Sequence, residues 1–161
     1  MRKHKFITFI IITIICVAGL MLLSMSSIFN KTNHEGGNVA TNNETINEIT
    51  IRINDKSYIV RMDINNAAQE FARSTPFELP MVELNGNEKY YRGADTLVTD
   101  AHRVARIKTG DLMLYEDNCI VLFYKDFETD YSYTRLGWVY DAEDLAETLG
   151  DGNVNVIFTK N

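Results

Sequence analysis

Past Glu48, apolar and polar residues alternate in short runs broken by turn formers, a rhythm that leaves room for little but a β-sheet. Ile49, Ile51 and Ile53 alternate with Thr50 and Arg52. After Asn54-Asp55-Lys56, Tyr58, Val60 and Met62 alternate with Ile59 and Arg61, which predicts a hairpin. Phe77 to Val82 and Lys89 to Arg92 read as strands on either side of Asn85-Gly86-Asn87. Leu112 to Tyr115 and Cys119 to Tyr124, joined by Glu116-Asp117-Asn118, are the most apolar strands and are expected to form a central hairpin. Tyr131 to Val139 is a further strand, and Val154, Val156 and Phe158 alternate in a last one. Thr99 to Arg106 reads as a polar stretch and Asp126 to Asp130 as a loop.

Only two stretches carry a helical pattern. Ala67, Ala68, Phe71 and Ala72 fall on one face, with Asn65 or Asn66 as cap, and Asp141 is expected to cap a helix running through Leu145 to Leu149, ended by Gly150. Two short helices cannot cover a parallel sheet. The expectation is therefore a mostly β domain, a closed barrel of about eight strands with two short helices.

The N-terminal end follows other rules. Arg2, Lys3 and Lys5 precede the nearly unbroken apolar run Phe6 to Leu23, and Ser24, Ser26 and Ser27 follow it, the order of a targeting segment. Roughly 18 residues at about 1.5 Å each span about 27 Å as a helix, close to the hydrocarbon thickness of a bilayer. An uncleaved transmembrane anchor and a signal peptide cleaved after Ser26 are both compatible; the length favours the anchor. Ile15 before Cys16 is too bulky for a lipidation signal. The basic flank stays cytoplasmic, so the rest is expected on the extracytoplasmic side of a cell membrane, or secreted if cleaved. Residues 1–29 thus read as signal or apolar anchor helix, 30–47 as a flexible polar stalk, and 48–161 as the β domain.

The chain carries 16 basic against 22 acidic residues, and setting the basic flank aside makes the remainder more acidic still. Such a surface repels phosphate backbones and excludes nucleic acid as a partner class. Cys119 has no partner cysteine in the exported part and sits in an apolar run, so it reads as a small buried hydrophobe. His4, His34 and His102 are scattered, Asp126, Glu128 and Asp130 read as solvated surface charge, and no phosphate loop, catalytic triad or CxxC is present. Neither a metal nor another cofactor is expected.

Four strings resemble the small bacterial cyclophilin-like domain family rather than the peptidyl-prolyl isomerases themselves. They are Glu83-Leu84-Asn85-Gly86-Asn87-Glu88-Lys89-Tyr90-Tyr91, Gly110-Asp111-Leu112-Met113-Leu114-Tyr115, Asn118 to Lys125, and Tyr131-Ser132-Tyr133-Thr134-Arg135-Leu136-Gly137. The resemblance implies an eight-stranded barrel closed at its ends by two helices, and no established activity. In true cyclophilins an arginine of a Phe-His-Arg string polarises the prolyl carbonyl. Lys89-Tyr90-Tyr91-Arg92 falls at a similar point, which makes Arg92 the single candidate catalytic residue, against its plainer reading as a strand-end surface charge.

Tyr90, Tyr91, Tyr115, Tyr124, Tyr131, Tyr133 and Tyr140, together with Trp138, are more aromatic residues with polar tips than a small core needs, so some are expected to line a groove. Tyr91, Tyr115, Tyr131, Tyr133 and Arg135 are the candidate ligand-binding residues, with Arg135 expected to stack on Tyr133 or to pair with Asp130 or Asp141. The reading is a membrane-anchored domain that binds a peptide or small-molecule ligand, or another cell-envelope protein, without established catalysis. The alternative is a peptidyl-prolyl isomerase assisting secreted chains. Intact mass spectrometry of the membrane-associated protein is expected to find residues 1–26 retained; a mass beginning at Ser27 replaces the anchor with a cleaved signal.

Overall fold

The structure, a computed structural model, describes residues 44–161; the signal or anchor segment and residues 30–43 of the stalk lie outside the described residues. Eight antiparallel strands close into a barrel: β1 (Glu48–Ile53), β2 (Lys56–Met62), β3 (Phe77–Leu84), β4 (Glu88–Arg92), β7 (Asp111–Tyr115), β8 (Cys119–Phe123), β10 (Ser132–Val139) and β11 (Val154–Lys160). Their order around the wall is β2-β1-β11-β3-β4-β8-β7-β10, and β10 returns to β2. Two helices, α1 (Asn66–Ser74) and α2 (Leu145–Leu149), complete the expected inventory.

Three further strands are too short to leave a periodic signal. β5 (His102–Arg103) and β6 (Arg106–Ile107) lie at the stretch read as polar, and β9 (Phe127–Glu128) lies in the segment read as a loop. Two residues show no alternation; their strand geometry comes from pairing, β5 on β10 and β6 on β9.

The first hairpin turns at Asn54, which holds φ 53°, a left-handed conformation that asparagine tolerates better than most residues. Asn65 caps α1 by accepting from Ala68 N at 2.9 Å, and the helix buries the anticipated face of Ala67, Ala68, Phe71 and Ala72. Phe71 meets Phe77 and Phe158 edge-on, with centroids 5.2 and 5.3 Å away, which ties α1 to the barrel interior. Gln69, also buried, receives Ile46 N and donates to Ile46 O and Asp63 O.

The cap of α2 departs from expectation. Asp144, not Asp141, precedes the helix, and it makes no side-chain cap because its carboxylate accepts from Lys56 Nζ at 2.6 Å and Tyr58 Oη at 2.8 Å. Asp141 instead occupies a turn with φ 55°.

The strands build two cores. Ile51, Val60, Met81, Leu112, Leu114, Ile120, Leu122 and Phe158 fill the interior with α1 and α2. A second, outer cluster of Ile107, Met113, Cys119, Val121, Phe123 and Tyr133 lies across the other face of β7, β8 and β10, with Phe127 of β9 packed against it. That is why Leu112 to Tyr115 of β7 and all of β8 are continuously apolar: each strand is buried on both faces. Cys119 is buried there as a small hydrophobe.

Lys89 projects from β4 into the interior and is fully buried. Its ammonium donates to Glu83 Oε2, to Gly150 O at 2.6 Å and to Gly152 O at 2.7 Å, so all three N–H bonds are used. Burial pushes the Glu83 carboxyl up, but bonds from Lys89, Tyr124 Oη and Gly86 N overcome this and hold it below the ordinary carboxylate range.

The barrel closes at Gly137, paired with Met62 of β2, next to a register shift between Arg135 and Gly137. A Cβ at this glycine would collide with the Arg61 carbonyl oxygen and stand 3.2 Å from Met62 Cα. Gly137→Ala is expected to cost about 1–3 kcal/mol by overpacking this seam, read as a lower urea midpoint. An unchanged midpoint means that the seam carries little stability.

Candidate functional site

The candidate tyrosines do not form one groove. Tyr91 packs against the interior core, on the opposite side of the wall from the other three. Tyr115 contacts Tyr131 edge-on with centroids 5.9 Å apart and Tyr133 at 5.6 Å, so these three do meet. Tyr133 is buried at 7% exposure, however, between Tyr115 and Phe123, and Tyr131 alone of the three is exposed. Burial, with Glu88 adding to it, raises the Tyr133 phenol. Most of the cluster serves as outer core rather than as an open face.

Arg92 lies at the strand end, opposite Cys119. Its guanidinium donates to Glu116 Oε2 at 2.8 Å and Asn118 Oδ1 at 3.2 Å, across the β7–β8 turn.

Arg135 also departs from its anticipated partners. It neither stacks on Tyr133 nor pairs with Asp130 or Asp141; its guanidinium lies over the Trp138 ring, 4.8 Å from the centroid, 3.6 Å from Asp111 and 4.0 Å from Asp63. Asp130 is taken by Arg103, and Asp126 by Arg106 and the Thr109 N–H and hydroxyl. Among the described residues no group of three or more His, Cys, Asp or Glu is placed to hold a metal ion. Asp111 is buried, and that burial raises its carboxyl against the opposing Lys108 N–H and Arg135 charge.

Across the β7–β10–β2–β1 wall, Asp111 pairs with Trp138, Trp138 with Arg61, and Arg61 with Glu48. Arg61 Nη1 is 2.9 Å from Glu48 Oε1, and the guanidinium also covers the exposed Tyr140 ring at 5.0 Å. An open cleft of about 600 Å³ lies along this row, lined by Asn47, Glu48, Arg61, Met62, Trp138 and Asn161. Its volume is within the range of small-molecule sites, about 300–1,000 Å³. Trp138, 36% exposed, is its one aromatic wall.

The model of the cyclophilin-like family matches residues 51–159, nearly the whole barrel. The chain belongs to the cyclophilin-like family. The solution structure of a hypothetical protein from Archaeoglobus fulgidus is similar at a TM-score of 0.50 and 14% identity, covering 75% of this chain and 100% of that one, a likeness of fold alone. No curated sequence matches this cyclophilin-like chain significantly.

One titratable group at this barrel wall escaped the sequence reading. Glu88 shares the outer face with Phe123, and burial, then the nearby Glu83 charge, raises its carboxyl to about 7. Because its folded pKa lies above the unfolded value, the folded state binds the proton more tightly. The resulting penalty is absent below about pH 4.5, grows as pH rises and is complete above about 7. Glu88→Gln is expected to leave stability at pH 5 nearly unchanged and to raise it at pH 8 by on the order of 2 kcal/mol, discounted for partial exposure. Urea unfolding at the two pH values checks this; an equal effect at both removes the linkage.

Proposed function

We propose that this cyclophilin-like barrel is an extracytoplasmic binding domain, tethered by its N-terminal segment, that takes a peptide or small ligand in the Trp138 cleft without catalysing a reaction on it. The observation that carries the reading is the cleft itself: an exposed indole held by Arg135, with polar groups from Asn47, Glu48, Arg61 and Asn161 around it and the otherwise buried Met62 at its floor. Apolar contact with a few orienting polar groups is the common composition of ligand sites. The earlier tyrosine candidates contribute less, since Tyr133 is buried and Tyr91 faces the interior core.

Isomerase chemistry draws less support. It needs a guanidinium presented to a prolyl carbonyl, and Arg92 is engaged by Glu116 and Asn118.

Trp138 is the only tryptophan in the chain, so its emission reports the cleft directly. A screen of peptides and small molecules on the full-length protein is expected to yield saturable emission changes, with binding retained in Tyr131→Ala and lost in Trp138→Ala when read by calorimetry. Binding that persists in Trp138→Ala refutes the cleft as the site. In a proline tetrapeptide assay the protein is expected to leave cis/trans exchange at the uncatalysed rate; acceleration abolished by Arg92→Ala establishes the isomerase instead.

A further inference from the structure

We infer that the ligand of the Trp138 cleft is a neutral saccharide, with a pyranose ring laid against the indole. This rests on the cleft being the binding site, and four features narrow the chemistry.

The charged side chains of the lining are one acid and one base. Glu48 and Arg61 pair at 2.9 Å, and the side chains of Asn47, Asn161, Met62 and Trp138 are uncharged. Such a set of side chains gives little net attraction to a phosphate, a carboxylate or an ammonium group. A ligand that is polar but uncharged loses nothing there.

The indole is held for stacking. Arg135 lies over the ring at 4.8 Å yet is absent from the cleft lining, so the guanidinium braces the ring from outside while the indole borders the cavity. A pyranose combines an apolar face of C–H groups with a rim of hydroxyls. The first suits an aromatic wall, and the second needs hydrogen-bonding groups beside it.

Those groups are available. Asn161 accepts from Thr50 Oγ1 with its Oδ1 at 2.5 Å, which leaves the amide N–H₂ to donate. The Asn47 side-chain amide has no partner among the described residues, and its backbone carbonyl is committed to Met62 N. Two planar amides and a carboxylate–guanidinium pair supply both donors and acceptors, and each sugar hydroxyl can use one of each.

An extended peptide lacks its usual anchor. β1, β2, β10 and β11, which surround the cleft, each have a hydrogen-bonded neighbour on both sides, and the β2–β10 pairing seals the seam at Trp138 itself. No sheet edge is offered for strand addition, the mode by which extended peptides gain main-chain bonds.

The test titrates the full-length protein with N,N′,N″-triacetylchitotriose, cellotriose and maltotriose, reading Trp138 emission and calorimetric heat. At least one is expected to bind saturably. Trp138→Ala is expected to weaken that binding at least about tenfold, Trp138→Phe to keep most of it, and Asn47→Ala and Asn161→Ala to weaken it about three- to tenfold each, as single hydrogen bonds do. Silence from all three saccharides overturns the inference. If peptides then shift Trp138 emission saturably, the cleft stands and only its ligand class falls; if a ligand binds equally well to Trp138→Ala, the cleft reading falls as well.

Discussion

The molecule depends on one irregularity in β10. This strand pairs with β7 along one side and must reach β2 on the other to close the barrel, and it does so through the register shift between Arg135 and Gly137. A side chain at Gly137 would strike the Arg61 backbone, so only glycine lets the two strands approach. The same shift decides where the side chains point. In a regular strand Arg135 and Trp138, three residues apart, would face opposite sides. The extra residue returns Trp138 to the outer face while Leu136 and Val139 both reach the interior core, and only then can the guanidinium lie over the indole. Closure of the fold and construction of the cleft are one event in the backbone.

The rest of the wall is organised by having two apolar sides. A barrel of this size normally spends one face of each strand on solvent. Here β7 and β8 spend neither, because the short β6–β9 pair brings Ile107 and Phe127 onto the outer cluster. That arrangement explains why Tyr133 is buried and why Glu88, on the same outer face, titrates near neutrality. The interior makes the opposite concession by holding a lysine. Lys89 is tolerated because Glu83 and two backbone carbonyls take all of its protons, so the group acts as a tie between β4 and the segment leading into β11. None of its three N–H bonds is left over for another partner.

The regular part of this architecture was legible in the residues. Ile49 to Met62, the Asn65-capped helix and the apolar β7–β8 pair follow from alternation, capping chemistry and long apolar runs, all of which are local signals. What stayed hidden was non-local. Two-residue strands such as His102–Arg103 have no period of their own. Asp144 shows no mark of preferring Lys56 and Tyr58, distant in sequence, to its own helix end. Arg135 and Trp138 each stand out in the sequence, but their contact does not, since strict alternation would put residues 135 and 138 on opposite faces. The glycine at 137 was the available signal, because glycine inside a strand marks a bulge or a close backbone approach.

Membership of the cyclophilin-like family constrains the barrel more than its use. Arg92 illustrates the difference. It stands at the end of β4, yet its guanidinium is spent bridging Glu116 and Asn118, a role that steadies the β7–β8 turn. The Trp138 row draws instead on β10, β2, β1 and the end of β11, strands from both ends of the domain that become neighbours only through closure. A site assembled this way has no contiguous motif. It also cannot survive the barrel opening, so any ligand held there stabilises the seam at Gly137, and stability and binding are coupled through the same few residues.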